Sequence, residues 1–109
     1  MPVSDADQER VTRLLLQDAE ATVGHGHQAL VREIASWERP QAHDADEYMH
    51  RVVGYVQQAF HDSYIDTTWL RCPRHPHHPL WLHEGWWRCD RDGVAVAKLG
   101  ELAASLGAG

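Results

Sequence analysis

A chain of 109 residues, 43% hydrophobic and 24% charged, is long enough for one core and too short for two. That composition excludes wholesale disorder, and no run approaches the ~18 apolar residues of a membrane span. Sixteen acids against ten bases, a net charge of −6, argue against a general nucleic-acid binder. The acidic start Met1-Pro2-Val3-Ser4-Asp5 lacks the basic and apolar regions of a secretory signal. Two cysteines are fewer than a secreted disulfide scaffold carries, so the expected location is cytoplasmic. A single lysine beside nine arginines hints at a high-GC bacterial source.

The first half reads as helices. Between Asp5 and Val23 the residues Val11, Leu14, Leu15, Ala19 and Val23 form an amphipathic stripe, with Leu16 off it and so facing a second neighbour. Ser4 or Asp5 caps this helix, Asp5 and Gln8 having capping-box spacing, and Gly24 ends it. A shorter helix places Leu30, Ile34 and Trp37 on one face and stops at Pro40. Asp44 with Glu47 opens a third, whose inner face is Met49, Val52, Val53, Val56 and Phe60, flanked by Tyr48 and Tyr55; its end is expected between His61 and Tyr64.

The character changes after Asp66. Residues 1–66 carry five arginines and twelve acids, whereas 67–109 are close to neutral, so the acidity belongs to the helical region. Cys72-Pro73-Arg74-His75-Pro76-His77-His78-Pro79 cannot be helical, because three prolines keep it extended or turning. Leu80-Trp81-Leu82-His83 and Trp86-Trp87-Arg88-Cys89, joined by Glu84-Gly85, predict a β-hairpin with a type I′ turn. With that turn His83 faces Trp86, Leu82 faces Trp87 and Leu80 faces Cys89. Asp90 to Gly93 form a second turn, Val94 to Ala97 a third strand, and Leu99 to Leu106 a terminal helix.

Cys72-Pro73-Arg74-His75 has the form of a knuckle, a tight turn that aims two metal-binding side chains at one ion. Cys89 sits on another turn, Cys89-Asp90-Arg91-Asp92-Gly93. Leu80, Leu82, Trp87 and Cys89 share one face by strand alternation, and extending that strand backwards puts His78 beside Cys89 with His77 pointing away. The leading ligand set is therefore Cys72, His75, His78 and Cys89, with Asp92 and then His77 as substitutes for His78. Mixed thiolate and imidazole donors favour Zn2+. The alternatives are a Cys72–Cys89 disulfide and a histidine-rich loop without a metal. His83-Glu84 lacks the spacing of the zinc deaminases, so Glu84 reads as a turn residue. Gly24-His25-Gly26-His27 reads as a linker, and His43, His50 and His61 as surface or partly packed residues.

By the same alternation Trp81, His83, Trp86 and Arg88 lie on the outer face. Tryptophan beside arginine is the composition of a binding hot spot, making Trp81, Trp86 and Arg88 candidate partner-binding residues. In a domain this small, packing of that face on a helix is the expected outcome.

Residues 70–98 resemble a zinc ribbon, in which C-P-x-C and C-x-x-C-G knuckles are joined by hairpins; here His75 and Asp92 stand in two of the cysteine positions. The resemblance implies a structural zinc. The run from Asp66 through Cys72 and Trp81 to Cys89 also resembles small uncharacterised actinobacterial proteins, which implies a source and no activity. The expected protein is α+β: about three helices in residues 1–66, packed on a zinc-stabilised hairpin or three-stranded sheet in 67–109. Its expected role is an interaction module for an unknown protein partner, without membrane contact and with a homodimer possible on an exposed helical stripe. The competing readings are a metal-dependent enzyme with an open zinc position and a nucleic-acid-binding ribbon. Arg71, Arg74, Arg88 and Arg91 would serve the ribbon, against the opposing charge of the helices, which makes nucleic acid an unfavoured partner.

Overall fold

The computed structural model describes residues 2–63 and 68–107, so the expected boundary at 66/67 lies outside the described residues. The described elements are α1 (Asp5–Val23), α2 (Gln28–Glu38), a 3-10 turn (Arg39–Gln41), α3 (Ala45–Asp62), β1 (Leu80–His83), β2 (Trp86–Cys89), β3 (Ala95–Lys98) and α4 (Leu102–Gly107). The architecture is α+β, with three long helices preceding a three-stranded antiparallel sheet.

The capping box of α1 is formed by Ser4 and Asp7, rather than Asp5 and Gln8. Ser4 has an extended backbone, its Oγ accepts the Asp7 N–H at 3.1 Å, and its own N–H donates to Asp7 Oδ2 at 3.0 Å. Leu16 is buried together with Val11, Leu15 and Ala19, as expected of a helix that packs against α2, α3 and α4 at once.

In α2 the buried face is Val31, Ala35 and Glu38, one residue round from the expected stripe. Leu30 and Ile34 lie at its margin, and Trp37 is 71% exposed. Two contacts with α3 set this rotation. The small Ala35 admits the Tyr48 hydroxyl, which donates to its carbonyl at 2.6 Å, and Glu38 Oε2 accepts from Arg51 Nε at 2.8 Å. Burial pushes the Tyr48 phenol up to about 12, and the bond to Glu38 raises the Arg51 guanidinium further. Tyr48 thereby joins Val52, Val53, Val56 and Phe60 on the inner face of α3, with Met49 at its edge. Asp44 Oδ1 caps α3 by accepting the Glu47 N–H at 2.8 Å.

The hairpin has the register that alternation requires: Leu80 opposite Cys89, Trp81 opposite Arg88, Leu82 opposite Trp87 and His83 opposite Trp86. Glu84 and Gly85 both have positive φ, 53° and 84°, the two left-handed residues of a type I′ turn. β3 begins at Ala95 rather than Val94, because the Val94 carbonyl accepts from Cys89 N at 3.1 Å and belongs to the preceding turn. α4 begins at Leu102 rather than Leu99, whose N–H instead donates to the Gly85 carbonyl at 3.0 Å.

The inner face of the sheet, Leu80, Leu82, Trp87 and Cys89, meets the helices through two aromatic residues. Trp69 stacks edge-on between Phe60 and Trp87, with centroids at 4.7 and 6.0 Å, and donates from Nε1 to Thr22 Oγ1 at 2.9 Å. Trp87 donates from Nε1 to Asp18 Oδ2 at 2.7 Å. Asp18 also accepts from the N–H of Gly100 at 2.7 Å and of Leu102 at 3.0 Å, which fixes the start of α4. Burial raises the Asp18 pKa above the ordinary carboxylate value, and the three donors oppose that rise.

Candidate metal centre

The segment between Leu70 and Leu80 is a loop closed at its neck. Leu80 N–H bonds the Leu70 carbonyl, Arg71 and Pro79 form an isolated bridge, and Cys72 N–H reaches the His78 carbonyl at 3.0 Å. Within it two turns follow each other: His75 N–H donates to the Cys72 carbonyl at 3.2 Å and His78 N–H to the His75 carbonyl at 2.8 Å. The prolines at 73 and 76 fit the second position of each turn, where a fixed φ is an advantage and no N–H is needed. Cys72, His75 and His78 thus recur every third residue around one curl of chain.

Cys89 approaches from the end of β2. Its carbonyl accepts the Gly93 N–H at 2.8 Å, so the turn that follows is also closed by a backbone bond, one residue wider than the first. Gly93 has φ +72°, a left-handed conformation that favours glycine. Both cysteines are reduced and buried.

Three of the four expected ligands converge. The ligand atoms of Cys72, His75 and Cys89 all lie within 4.8 Å of one another, and no other such group of His, Cys, Asp or Glu occurs among the described residues. His75 Nδ1 is 3.9 Å from Cys72 Sγ and 3.3 Å from Cys89 Sγ. A tetrahedral ion with metal–sulfur bonds of ~2.3 Å and metal–nitrogen bonds of ~2.05 Å separates sulfur from nitrogen by about 3.6 Å. The two observed separations bracket that edge. The group can therefore hold a metal ion.

His78 stands just outside this group, its ring centroid 6.3 Å from that of His75 and its Nδ1 3.1 Å from Asp90 Oδ1. Asp92 borders the group, its Oδ2 4.0 Å from His75 Nδ1, but has other partners. Its carboxylate pairs with both terminal nitrogens of Arg74, at 2.9 and 3.2 Å, and accepts the Val94 N–H at 3.0 Å. The Val94 N–H and the Arg74 guanidinium, in that order, hold the Asp92 carboxyl below the ordinary carboxylate value. Arg74 is raised in turn, first by its bond to Asp92 and also by the charges of Cys72 and Cys89. The Arg74–Asp92 pair ties the Cys72–His75 turn to the turn after Cys89 and sets a positive charge beside two thiolate positions. His77 is exposed, outside the group.

The remaining histidines have other neighbours. His25 lies 3.4 Å from Glu20, His27 rests against the Phe60 ring at 5.2 Å, and His43 and Glu47 are 3.1 Å apart. Glu84 is an exposed turn residue.

The outer face of the sheet stays open, contrary to the expected packing on a helix. Trp81 is 43% and Trp86 38% exposed, although Trp81 lines a shallow groove with Gly54, Gln57 and His61 of α3. Arg88 is partly buried and donates to the Gly93 carbonyl at 3.0 Å. Lys98, opposite Trp86 in the sheet, places its ammonium 5.5 Å from that ring.

Sequence reasoning missed Arg74, Asp90 and Lys98 as contributors to these two surfaces. Arg74 and Asp90 each directly follow or precede a ligand-bearing turn position, and Lys98 is the only lysine of the chain. No helix among the described residues is long and apolar enough to cross a membrane. No protein-family model matches the chain, and no curated protein or solved structure is significantly similar to it.

Proposed function

We propose that this chain is a small zinc protein whose metal is structural, held by Cys72, His75, His78 and Cys89, and whose sheet presents Trp81, Trp86 and Arg88 to a protein partner. The observation that carries this reading is the pair of sulfur–nitrogen separations around His75, which bracket a tetrahedral edge. Two thiolates with imidazole favour zinc over harder ions, which prefer oxygen. His78 is the fourth ligand in this reading because Asp90 occupies its Nδ1 and leaves Nε2 for the metal. A carboxylate on the far nitrogen of a ligating histidine is the usual outer partner of zinc sites. The bound ion would fasten the loop to the hairpin and so hold the aromatic face in shape.

A second reading keeps three protein ligands and a water on the metal, leaving an open position for chemistry. It is favoured by the exposure of His78, whose side chain is 41% accessible.

Metal analysis with X-ray absorption on the wild type and on His78→Ala separates the two. The closed site predicts one zinc per chain with two sulfur and two nitrogen neighbours, one nitrogen giving way to oxygen in the variant. Identical coordination in both removes His78 and leaves the open site. Protein purified without chelators that contains no metal overturns the zinc reading altogether.

A further inference from the structure

We infer that the outer face of the sheet is a docking site for a short acidic peptide; this rests on the reading of the chain as an interaction module and names its partner's chemistry. Cross-strand pairing puts Trp81 opposite Arg88, His83 opposite Trp86, and Trp86 opposite Lys98, so these five side chains share one surface. The two indoles are the large exposed apolar groups of that surface, and Trp81 and His83 lean together with centroids at 5.2 Å. No strand residue on it is acidic, and the acid of the adjoining turn, Glu84, lies at the His83 end, 3.7 Å from that ring, rather than beside Arg88. Partly buried Arg88 and exposed Lys98 give this face two cations and no strand acid, a local cationic island in a chain of net charge −6. Carboxylates are the groups such an island attracts, and indole faces supply the apolar contact beside them.

Size selects a peptide. Three four-residue strands measure about 13 Å along their length and about 14 Å across, an area near 200 Å². A stable complex of two globular proteins needs about 800 Å² from each. An extended segment of some four to six residues covers the smaller area. Charge selects against nucleic acid, because a long phosphate backbone extends past two cations over a chain of net charge −6.

The test is selection of short random peptides displayed on phage against the zinc-loaded full chain, followed by NMR of the indole N–H groups with a selected peptide. The expected pool is enriched in Asp and Glu flanking an apolar residue. The selected peptide shifts the indoles of Trp81 and Trp86 and leaves that of buried Trp87 in place. Lys98→Glu weakens its binding by about tenfold, and added salt weakens it as well. Trp81→Ala, also at an exposed position, lowers affinity without changing metal content.

A pool without excess acids, or binding indifferent to both substitutions, overturns the proposal. Tighter binding of a short thymidine oligonucleotide to the same indoles overturns it in favour of nucleic acid. Metal content is measured first on the same samples. Metal-loaded, folded protein that selects nothing refutes the docking site alone, whereas metal-free protein refutes the zinc reading.

Discussion

The Trp87 indole N–H donates to the Asp18 carboxylate at 2.7 Å, joining the middle of β2 to the first helix across 69 positions of sequence. Both side chains are fully buried, and the same carboxylate holds the first amides before and within α4. One acid therefore serves three elements.

Asp18→Ala leaves the Trp87 indole and the Gly100 and Leu102 amides without their acceptor. Each orphaned buried donor costs about 1–3 kcal/mol. Partial relaxation makes a net loss of about 3–5 kcal/mol the expected result. Urea denaturation monitored by tryptophan fluorescence measures it, and a loss below about 1 kcal/mol would show that water replaces the carboxylate.

Asp18→Asn isolates the charge. Burial raises the folded pKa of Asp18 above its ordinary 3.8, so the folded chain binds the proton more tightly than the unfolded one. The stability tied to that proton is fully present below pH 3.8 and is lost as pH rises through the folded value. The advantage of the wild type over Asp18→Asn should accordingly shrink as pH rises from that point. An advantage that grows with pH would mean that the three donors outweigh burial.

Tyr48→Phe removes the buried hydroxyl that donates to the Ala35 carbonyl at 2.6 Å and leaves the ring in place. The expected cost is about 1–2 kcal/mol, because that carbonyl loses its side-chain donor while packing is kept. Thermal unfolding of the pair of proteins checks it.

Gly100→Ala strikes a position with φ +90°, where an added Cβ would also lie 3.0 Å from the Leu14 Cβ. Left-handed strain and overpacking act together, for a loss of about 2–3 kcal/mol. Gly93→Ala shares only the positive φ and has open space around it, so it should cost less. Equal losses at the two sites would assign the whole effect to the backbone.

Asp90→Asn keeps the shape of the group on His78 Nδ1 and removes its charge. In the zinc reading its affinity for metal drops about 10- to 100-fold, the usual cost of losing an outer partner. Competition with a chromophoric chelator measures this. An unchanged affinity would place Asp90, and His78 with it, outside the site.

The sheet was readable because its rule is short. One glycine located the turn, and alternation then assigned every residue from Leu80 to Cys89 to a face. The convergence of Cys72, His75 and Cys89 follows from the same pattern joined to a proline-punctuated turn. The face of α2 was less legible because Trp37, the largest apolar residue there, points to solvent, while the acid Glu38 is buried by its bond to Arg51. Hydrophobic periodicity registers side-chain type and is blind to a partner on another helix. Asp18 hid for the same reason, although an acid seven residues after Val11 and next to Ala19 sits where the stripe calls for an apolar group. Such a misplaced acid is the local signal of a distant donor.

The bonds from Asp18 to Gly100 and Leu102 also set a clock on biosynthesis. The acid emerges early in translation, yet its last acceptor bond, to the Leu102 amide, spans 84 positions. At about 5–20 residues per second the ribosome needs roughly 4–17 s to make that stretch. Through that interval the Asp18 carboxylate lacks at least one of the three donors that hold it in the folded chain, so the complete junction of α1, β2 and α4 can form only once the chain has been made through Leu102.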